Sequence, residues 1–254
     1  MSSRERGRVV VITGANEGIG YHMLTPLVER GYRVAGLDVD GAHVRSLRRD
    51  RPDSVRFVEC DVTADDDVEA AIEEIVAEWD RIDILVNNAG IFNFAPFEDQ
   101  TLADTRREFE VNYFGYLRLI HAVLPHMRAR GEGIVHNVSS GAGLVGHPGL
   151  TGYASTKGAI EALVRSLRLE LRHENVACTL MHPPLTNTRS TAELGYPESF
   201  LSDPAAVGRK LAGKIESTDE VIAADLQTRV GLYLSQRFPS LVRRGTERFV
   251  SPDE

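Results

Sequence analysis

With 254 residues, 42% hydrophobic and 26% charged, the chain has the make-up of a soluble protein that buries a sizeable core in one α/β domain. Its formal net charge of −8 argues against nucleic acid as the main partner. No stretch is long and apolar enough to span a bilayer, and Met1 to Arg8 lack the apolar core of a signal peptide, so the cytoplasm is the expected compartment.

Arg8-Val9-Val10-Val11-Ile12 is a β-branched apolar run and reads as a buried strand. It leads into Thr13-Gly14-Ala15-Asn16-Glu17-Gly18-Ile19-Gly20, after which Ile19, Met23, Leu24, Leu27 and Val28 keep a helical period. Strand, glycine-rich turn and helix in this order suit dinucleotide binding. The glycines let backbone approach a pyrophosphate, and the helix N-terminus offers free N–H groups and positive dipole. Pro26 lies inside the helix pattern and predicts a mild kink. A second strand, Arg33 to Leu37, ends at Asp38, where an acidic residue is expected to bind ribose hydroxyls; Asp40 is better placed to cap the next helix.

Further strands are expected at Val55–Glu59, Ile82–Val86, Gly133–Val138 and Val176–Met181. Helices are expected at Asp65–Glu78, Leu102–Arg130, Tyr153–His173 and Pro204–Glu216. This alternation implies a doubly wound parallel β-sheet with helices on both faces. In the Tyr153 helix, Ile160, Leu163, Leu167 and Leu171 form a core stripe. Cys60 and Cys178, the only cysteines, fall in strands set apart and are expected to be buried free thiols. No repeat or linker divides residues 1–254.

The irregular stretch from about 185 to 203 follows the sixth strand and reads as a substrate lid. Beyond it lies a C-terminal helical extension, about 225–248. Leu226, Val230, Leu232, Tyr233, Leu234 and Phe238 predict an amphipathic helix ending near Pro239, with arginines at 229, 237, 243, 244 and 248. Its stripe through Leu226, Val230, Leu234 and Phe238 is expected to cover the cleft, the core or a neighbouring subunit.

Tyr153 and Lys157 carry the most chemistry. Their i, i+4 spacing puts a phenol and an ammonium on one helix face. A free tyrosine loses its proton near pH ~10. A fixed positive charge beside it is expected to stabilise the phenolate and lower that value.

These residues, taken with Thr13-Gly14-x-x-x-Gly18-x-Gly20, Asp38, Asp61-Val62, Asn87-Asn88-Ala89-Gly90, Asn112 and Ser139-Ser140, make the chain resemble a short-chain dehydrogenase/reductase of the main, roughly 250-residue branch. The resemblance covers about residues 8 to 190. It implies a Rossmann-type fold, NAD or NADP as cofactor, and interconversion of a secondary alcohol and a ketone. It makes Tyr153 the acid/base and Lys157 the ribose-binding cation that depresses the tyrosine. It gives Ser140 the substrate oxygen, and Asn112 a water beside Lys157. Cofactor contacts are implied for Gly14, Asn16, Gly18, Ile19, Gly20, Asp38, Asp61, Val62, Asn88, Ala89, Gly90, Tyr153, Lys157, Pro183, Thr186 and Thr188; no metal ligands are assigned. Asp38 and Glu17 place negative charge where a 2′-phosphate would sit, which favours NAD over NADP.

Two departures from the family stand out. Pro184 replaces the usual glycine and removes a backbone donor from the loop expected at the nicotinamide carboxamide. Val221-Ile222-Ala223-Ala224 leads into the C-terminal helix in place of the usual short strand and glycine-rich tail. Ile91–Phe97 (with Phe92, Phe94 and Phe97), Gly141–Leu150 (with Leu144, Val145 and Leu150) and the lid suggest a fairly hydrophobic substrate. Pairing through the long middle helices implies a homodimer or homotetramer. The alternatives are a non-catalytic nucleotide sensor or scaffold on the same fold, and an epimerase or dehydratase using the same Tyr-Lys pair, whose relatives carry a different glycine spacing.

Overall fold

A computed structural model describes residues 7–238 and 240. Among the described residues, the strands are β1 (Val9–Thr13), β2 (Arg33–Asp38), β3 (Val55–Glu59), β4 (Ile84–Asn87), β5 (Gly133–Val138), β6 (Val176–His182) and β7 (Val221–Ala223). They form one sheet in the order β3-β2-β1-β4-β5-β6-β7, all neighbours parallel. The doubly wound sheet read from the alternation is therefore present. Its strand order reverses between β1 and β4, and in such sheets ligands bind at the carboxyl ends beside that reversal.

The apolar run in β1 serves two cores at once. Val9 and Val11 join one cluster, with Leu85, Val135 and Cys178. Val10 and Ile12 face the other way, among Val34, Ile84 and Met181. Side chains alternate across a strand, so a β-branched run without polar breaks is what a sheet covered on both faces requires. Each fully buried Val, Leu or Ile contributes about 1.5–3 kcal/mol.

The helices are α1 (Gly18–Glu29), α2 (Ala42–Asp50), α3 (Asp65–Trp79), α4 (Leu102–Phe109), α5 (Gly115–Arg130), α6 (Ala142–Val145), α7 (Thr151–Glu170), α8 (Pro204–Ala212) and α9 (Leu226–Arg237). α1 runs on through Pro26 to Glu29, and the proline leaves the His22 carbonyl oxygen without its helical N–H in the last turns of the helix. Ile160 and Leu171 of the expected stripe are buried in the first core, and Leu163 and Leu167 pack against it. Both cysteines are free and buried, and burial pushes each thiol up to about 12.

The helix expected over Leu102–Arg130 is present as α4 and α5 joined by a π-turn at Glu110–Phe114, which inserts an extra residue and turns Asn112 inward. One expectation needs correction. The short strand thought to be missing is β7, paired with β6 from Leu180↔Val221 to His182↔Ala223. Within the single chain the stripe on α9 is left open, with Leu226, Val230, Leu234 and Phe238 all exposed and Leu232 buried, although Leu234 also borders the cleft. Arg243, Arg244, Arg248 and Pro239 lie outside the described residues.

His136 is fully buried on β5, with Nε2 2.9 Å from the Ile215 carbonyl oxygen and Nδ1 2.6 Å from Thr179 Oγ1. Neutral imidazole satisfies both partners if Nε2–H donates to the carbonyl and Nδ1 accepts from the hydroxyl. Desolvation pushes its pKa from 6.5 to about 4 despite the bond to Ile215. The unfolded chain therefore takes up this proton first as pH falls, and the stabilisation present above pH 6.5 is lost toward pH 4. The melting temperature should fall steadily across that window, and less steeply in His136→Gln. Parallel melting curves for the two proteins would contradict this.

Candidate active site

The carboxyl ends of β1, β2, β4, β5 and β6 open into a cleft of about 1430 Å³. Its floor is set where β1 meets β4. Asn88 Nδ2 donates to the carbonyl oxygens of Thr13 and Gly14, at 2.9 and 3.0 Å. Thr13 Oγ1 accepts from the backbone N–H groups of Asn88 and Ala89, each at 3.0 Å. Gly14 has φ +63°, and a Cβ there would lie 2.8 Å from Ala89 Cα. A Cβ on Gly20 would collide with the Gly14 carbonyl oxygen and the Asn88 amide. Only glycine allows the turn and the helix to pack this closely.

Gly14, Gly18, Ile19, Asp38, Asp61, Val62, Asn88, Ala89, Gly90, Ser140, Tyr153, Lys157, Pro183, Thr186 and Thr188 all line this one cleft. They come from seven separate stretches of sequence. Asn16, Gly20 and Asn112 do not reach it. Asn16 is buried, with Oδ1 accepting from His43 N at 2.8 Å, so it pins the start of α2. Gly20 supports the turn from behind. Asn112 donates from Nδ2 to the Ile91 carbonyl oxygen at 2.8 Å and to Thr156 Oγ1 at 3.2 Å, while its Oδ1 accepts from Ile91 N at 2.8 Å. The amide thus ties the segment after Gly90 to Thr156 on α7.

Asp38 stands at the end of β2, its Oδ2 accepting from Asn16 N at 2.9 Å. Asp61 turns on Thr63, accepting from its N–H at 2.9 Å and its hydroxyl at 2.8 Å. The glycine turn, the N-terminus of α1 and the Asp38 carboxylate make a donor and acceptor set that fits a dinucleotide: N–H groups for phosphates at one point, a carboxylate for ribose hydroxyls at the next.

At the other end of the cleft, Ser140 hydrogen-bonds the Tyr153 side chain. Lys157 Nζ is buried, donates to the Val138 carbonyl oxygen at 2.8 Å and to Tyr116 Oη at 3.4 Å, and lies 5.5 Å from the Tyr153 ring centroid. Burial lowers the Lys157 ammonium to about 7. Desolvation raises Tyr153 above its usual value, the Ser140 bond opposes this, and the Glu108 carboxylate adds to it. Lys157 is not among the groups that shift the tyrosine here; burial is the largest influence on both side chains.

The walls also differ from expectation. Ile91, Phe92, Val145 and Leu150 line the cleft, but Phe94, Phe97 and Leu144 do not; Phe97 is 75% exposed. The stretch expected to form a lid carries more internal hydrogen bonds than its polar sequence suggests. Thr186 bridges Ser202, and Asn187 N and Ser202 N donate to Ser202 O and Leu185 O at 2.9 and 2.8 Å, closing the base of the loop. Across the mouth, Tyr196 Oη lies 2.6 Å from His147 Nε2, joining lid to opposite wall. Thr186 Oγ1 donates to the Pro184 carbonyl oxygen at 2.7 Å, so this hydroxyl braces the double proline. Thr228, Gly231, Leu232 and Ser235 of α9 form another wall. Their i, i+3, i+4, i+7 spacing marks one helix face, but only one of the four is strongly apolar, so a search for hydrophobic stripes passes over it.

Lys157 offers a test of this electrostatic picture. Its folded-state pKa is depressed from 10.5 to about 7, so the unfolded chain binds the proton more tightly and the cost of burial is complete below about pH 7. Lys157→Met should melt above the native protein at pH 6, with the gap closing toward pH 10. A lower melting temperature at pH 6 would contradict it.

The pattern of the family described as short chain dehydrogenase matches residues 8–198. The chain is similar to L-fucose dehydrogenase of Bos taurus, 35% identical over 88% of this chain and 83% of that protein. It is also similar to a 3-alpha-(or 20-beta)-hydroxysteroid dehydrogenase of Mycobacterium bovis, 33% identical over 75% and 74%. Among solved structures, a 3-ketoacyl-(acyl-carrier-protein) reductase of Brucella melitensis complexed with NADH superimposes with a TM-score of 0.80, at 25% identity over 86% of this chain and 96% of that one.

Proposed function

The chain belongs to the short-chain dehydrogenase family and is an oxidoreductase acting on CH–OH groups; from that premise we propose that it interconverts a secondary alcohol and a ketone with NAD(H), using Tyr153 as the acid/base. The observation that carries the reading is the joint placement of Ser140, Tyr153 and Lys157 in the same cleft as the glycine turn and Asp38. A nucleotide sensor would need the second set but has no use for the first.

The nicotinamide ring, when bound, supplies the hydride acceptor or donor. Gly14, Gly18 and the α1 N-terminus would hold the phosphates, Asp38 the adenine-side ribose, and Lys157 the nicotinamide-side ribose. Asn88, Ala89, Gly90, Pro183, Thr186 and Thr188 complete the cradle. Tyr153 takes the proton from the alcohol oxygen in oxidation and returns it in reduction. Ser140, hydrogen-bonded to that phenol, orients the same oxygen and steadies its charge. Desolvation keeps the Tyr153 proton on in this structure, so a further positive charge beyond Lys157 is needed before it acts as a base near neutral pH. The backbone of Asn112, within the π-turn, is able to extend a proton path.

Phe92, Val145, Leu150, Leu194, Phe200 and Leu232 favour an apolar substrate. Phe92 packs edge-on to Tyr153 at 5.6 Å and fixes the ring from the substrate side.

Tyr153→Phe should preserve folding and NAD affinity while kcat falls by about 10²- to 10⁴-fold. Near-native kcat in the purified variant would refute the role, and NAD binding with no turnover of any alcohol or ketone by the native chain would favour the sensor. For cofactor choice, kcat/KM should favour NAD over NADP, since Asp38 leaves no room for a 2′-phosphate charge. Asp38→Ala should narrow the ratio, and a native preference for NADP would refute the assignment.

A further inference from the structure

Behind the cleft wall, one buried carboxylate joins three of the segments that build it. Glu161 lies one turn beyond Lys157 on α7. Its Oε1 accepts from Ser139 Oγ at 2.6 Å and from His182 Nε2 at 3.0 Å, and Arg165 lies 3.4 Å from Oε2. Ser139, Glu161 and His182 are 2%, 2% and 1% exposed. Ser139 directly precedes Ser140, and His182 ends β6 directly before Pro183. The carboxylate therefore ties together the helix carrying Tyr153 and Lys157, the serine that bonds the phenol, and the root of the double-proline loop.

Two observations separate this cluster from ordinary core packing. His182 Nδ1 is buried without a hydrogen-bond partner among the described residues, so the contact from Nε2 to Glu161 is what orients the ring. Pro183 and Pro184 have no N–H to donate as the chain leaves the sheet, so beside the contact from Ala224 N to the His182 carbonyl oxygen at 3.3 Å the His182 side chain is a further tie at the root of the loop. Burial alone would raise the Glu161 carboxyl, but the hydrogen bonds from His182 and Ser139 outweigh it and hold the group below its ordinary value. Buried charges of this kind are weak sources of stability, since an apolar residue of similar volume often serves the fold as well.

We propose that Glu161 is a positioning residue whose carboxylate, acting through Ser139 and His182, sets the spacing between the Tyr153–Lys157 helix, Ser140 and the loop that meets the nicotinamide end of the cofactor. This rests on the reading that the cleft holds a dinucleotide. The adenosine end, bound at β1 and β2, is remote from the cluster and should not feel its loss.

The test compares two ligands. NADH binding is followed by nicotinamide fluorescence, and ADP-ribose, which lacks nicotinamide, by calorimetry. Glu161→Leu should weaken NADH binding about 10-fold while ADP-ribose affinity stays within about twofold. Glu161→Gln, which keeps an acceptor at Oε1, should recover most of the loss. If Glu161→Leu gives no cooperative melt, Ser139→Ala decides, since it deletes one hydrogen bond and leaves the carboxylate paired with His182; a selective loss of about threefold is expected. Equal losses for both ligands, no loss for either, or native binding of NADH no tighter than ADP-ribose would overturn the proposal. A native chain that binds neither ligand would overturn the dinucleotide reading itself.

Discussion

The site depends on the clamp between the ends of β1 and β4. The Asn88 side chain holds the carbonyl oxygens of Thr13 and Gly14, and the Thr13 hydroxyl oxygen accepts from the backbone N–H groups of Asn88 and Ala89. Ordinary parallel pairing ends at Ile12↔Val86, so this side-chain bonding continues the sheet where backbone pairing stops. It brings the glycine turn, the start of α1 and the Asn88-Ala89-Gly90 segment into contact. Side chains at positions 14 and 20 would force them apart. Every other cleft residue takes its place relative to this floor.

At the far end, the protein keeps a lysine and a tyrosine where desolvation works against their charged forms. Lys157 is retained in an environment that lowers it to about 7 and that raises Tyr153. Such groups are costly for folding, and their presence in a cleft supports the acid/base role proposed for them. The surrounding polar contacts, Asn112 on Ile91 and Glu161 on Ser139 and His182, fall on backbone or on residues adjacent to the working groups. Ile91 and Ser139 themselves line the cleft, so these contacts fix the geometry of its wall.

The legible part of this structure was whatever local periodicity encodes. The strands followed from β-branched runs whose alternate residues feed two cores, and fifteen of the cleft residues followed from ordered motifs at strand ends and on α1 and α7. Less legible was anything set by three-dimensional register. α2 buries only Val44 among arginines, so its period is faint. The π-turn leaves the hydrophobic pattern of a long helix nearly intact while changing which way Asn112 points. β7 is three residues long and is recognisable only through its pairing with β6. The α9 face toward the cleft sets Thr228, Gly231 and Ser235 beside Leu232 and Leu234, so a search for an apolar stripe finds it only in part. Glu161 and His182 stand on different elements, and nothing in the spacing of their sequence positions joins them.

The central claim is that one continuous cleft holds a dinucleotide with its nicotinamide end against Ser140, Tyr153 and Lys157. A crystal structure of the chain grown with NAD tests it most directly. The account predicts the pyrophosphate over the Gly14–Gly18 turn, the adenine ribose on Asp38, and the nicotinamide ring within contact distance of Tyr153. A dinucleotide lying in the reverse direction, or seated away from this cleft, would contradict it.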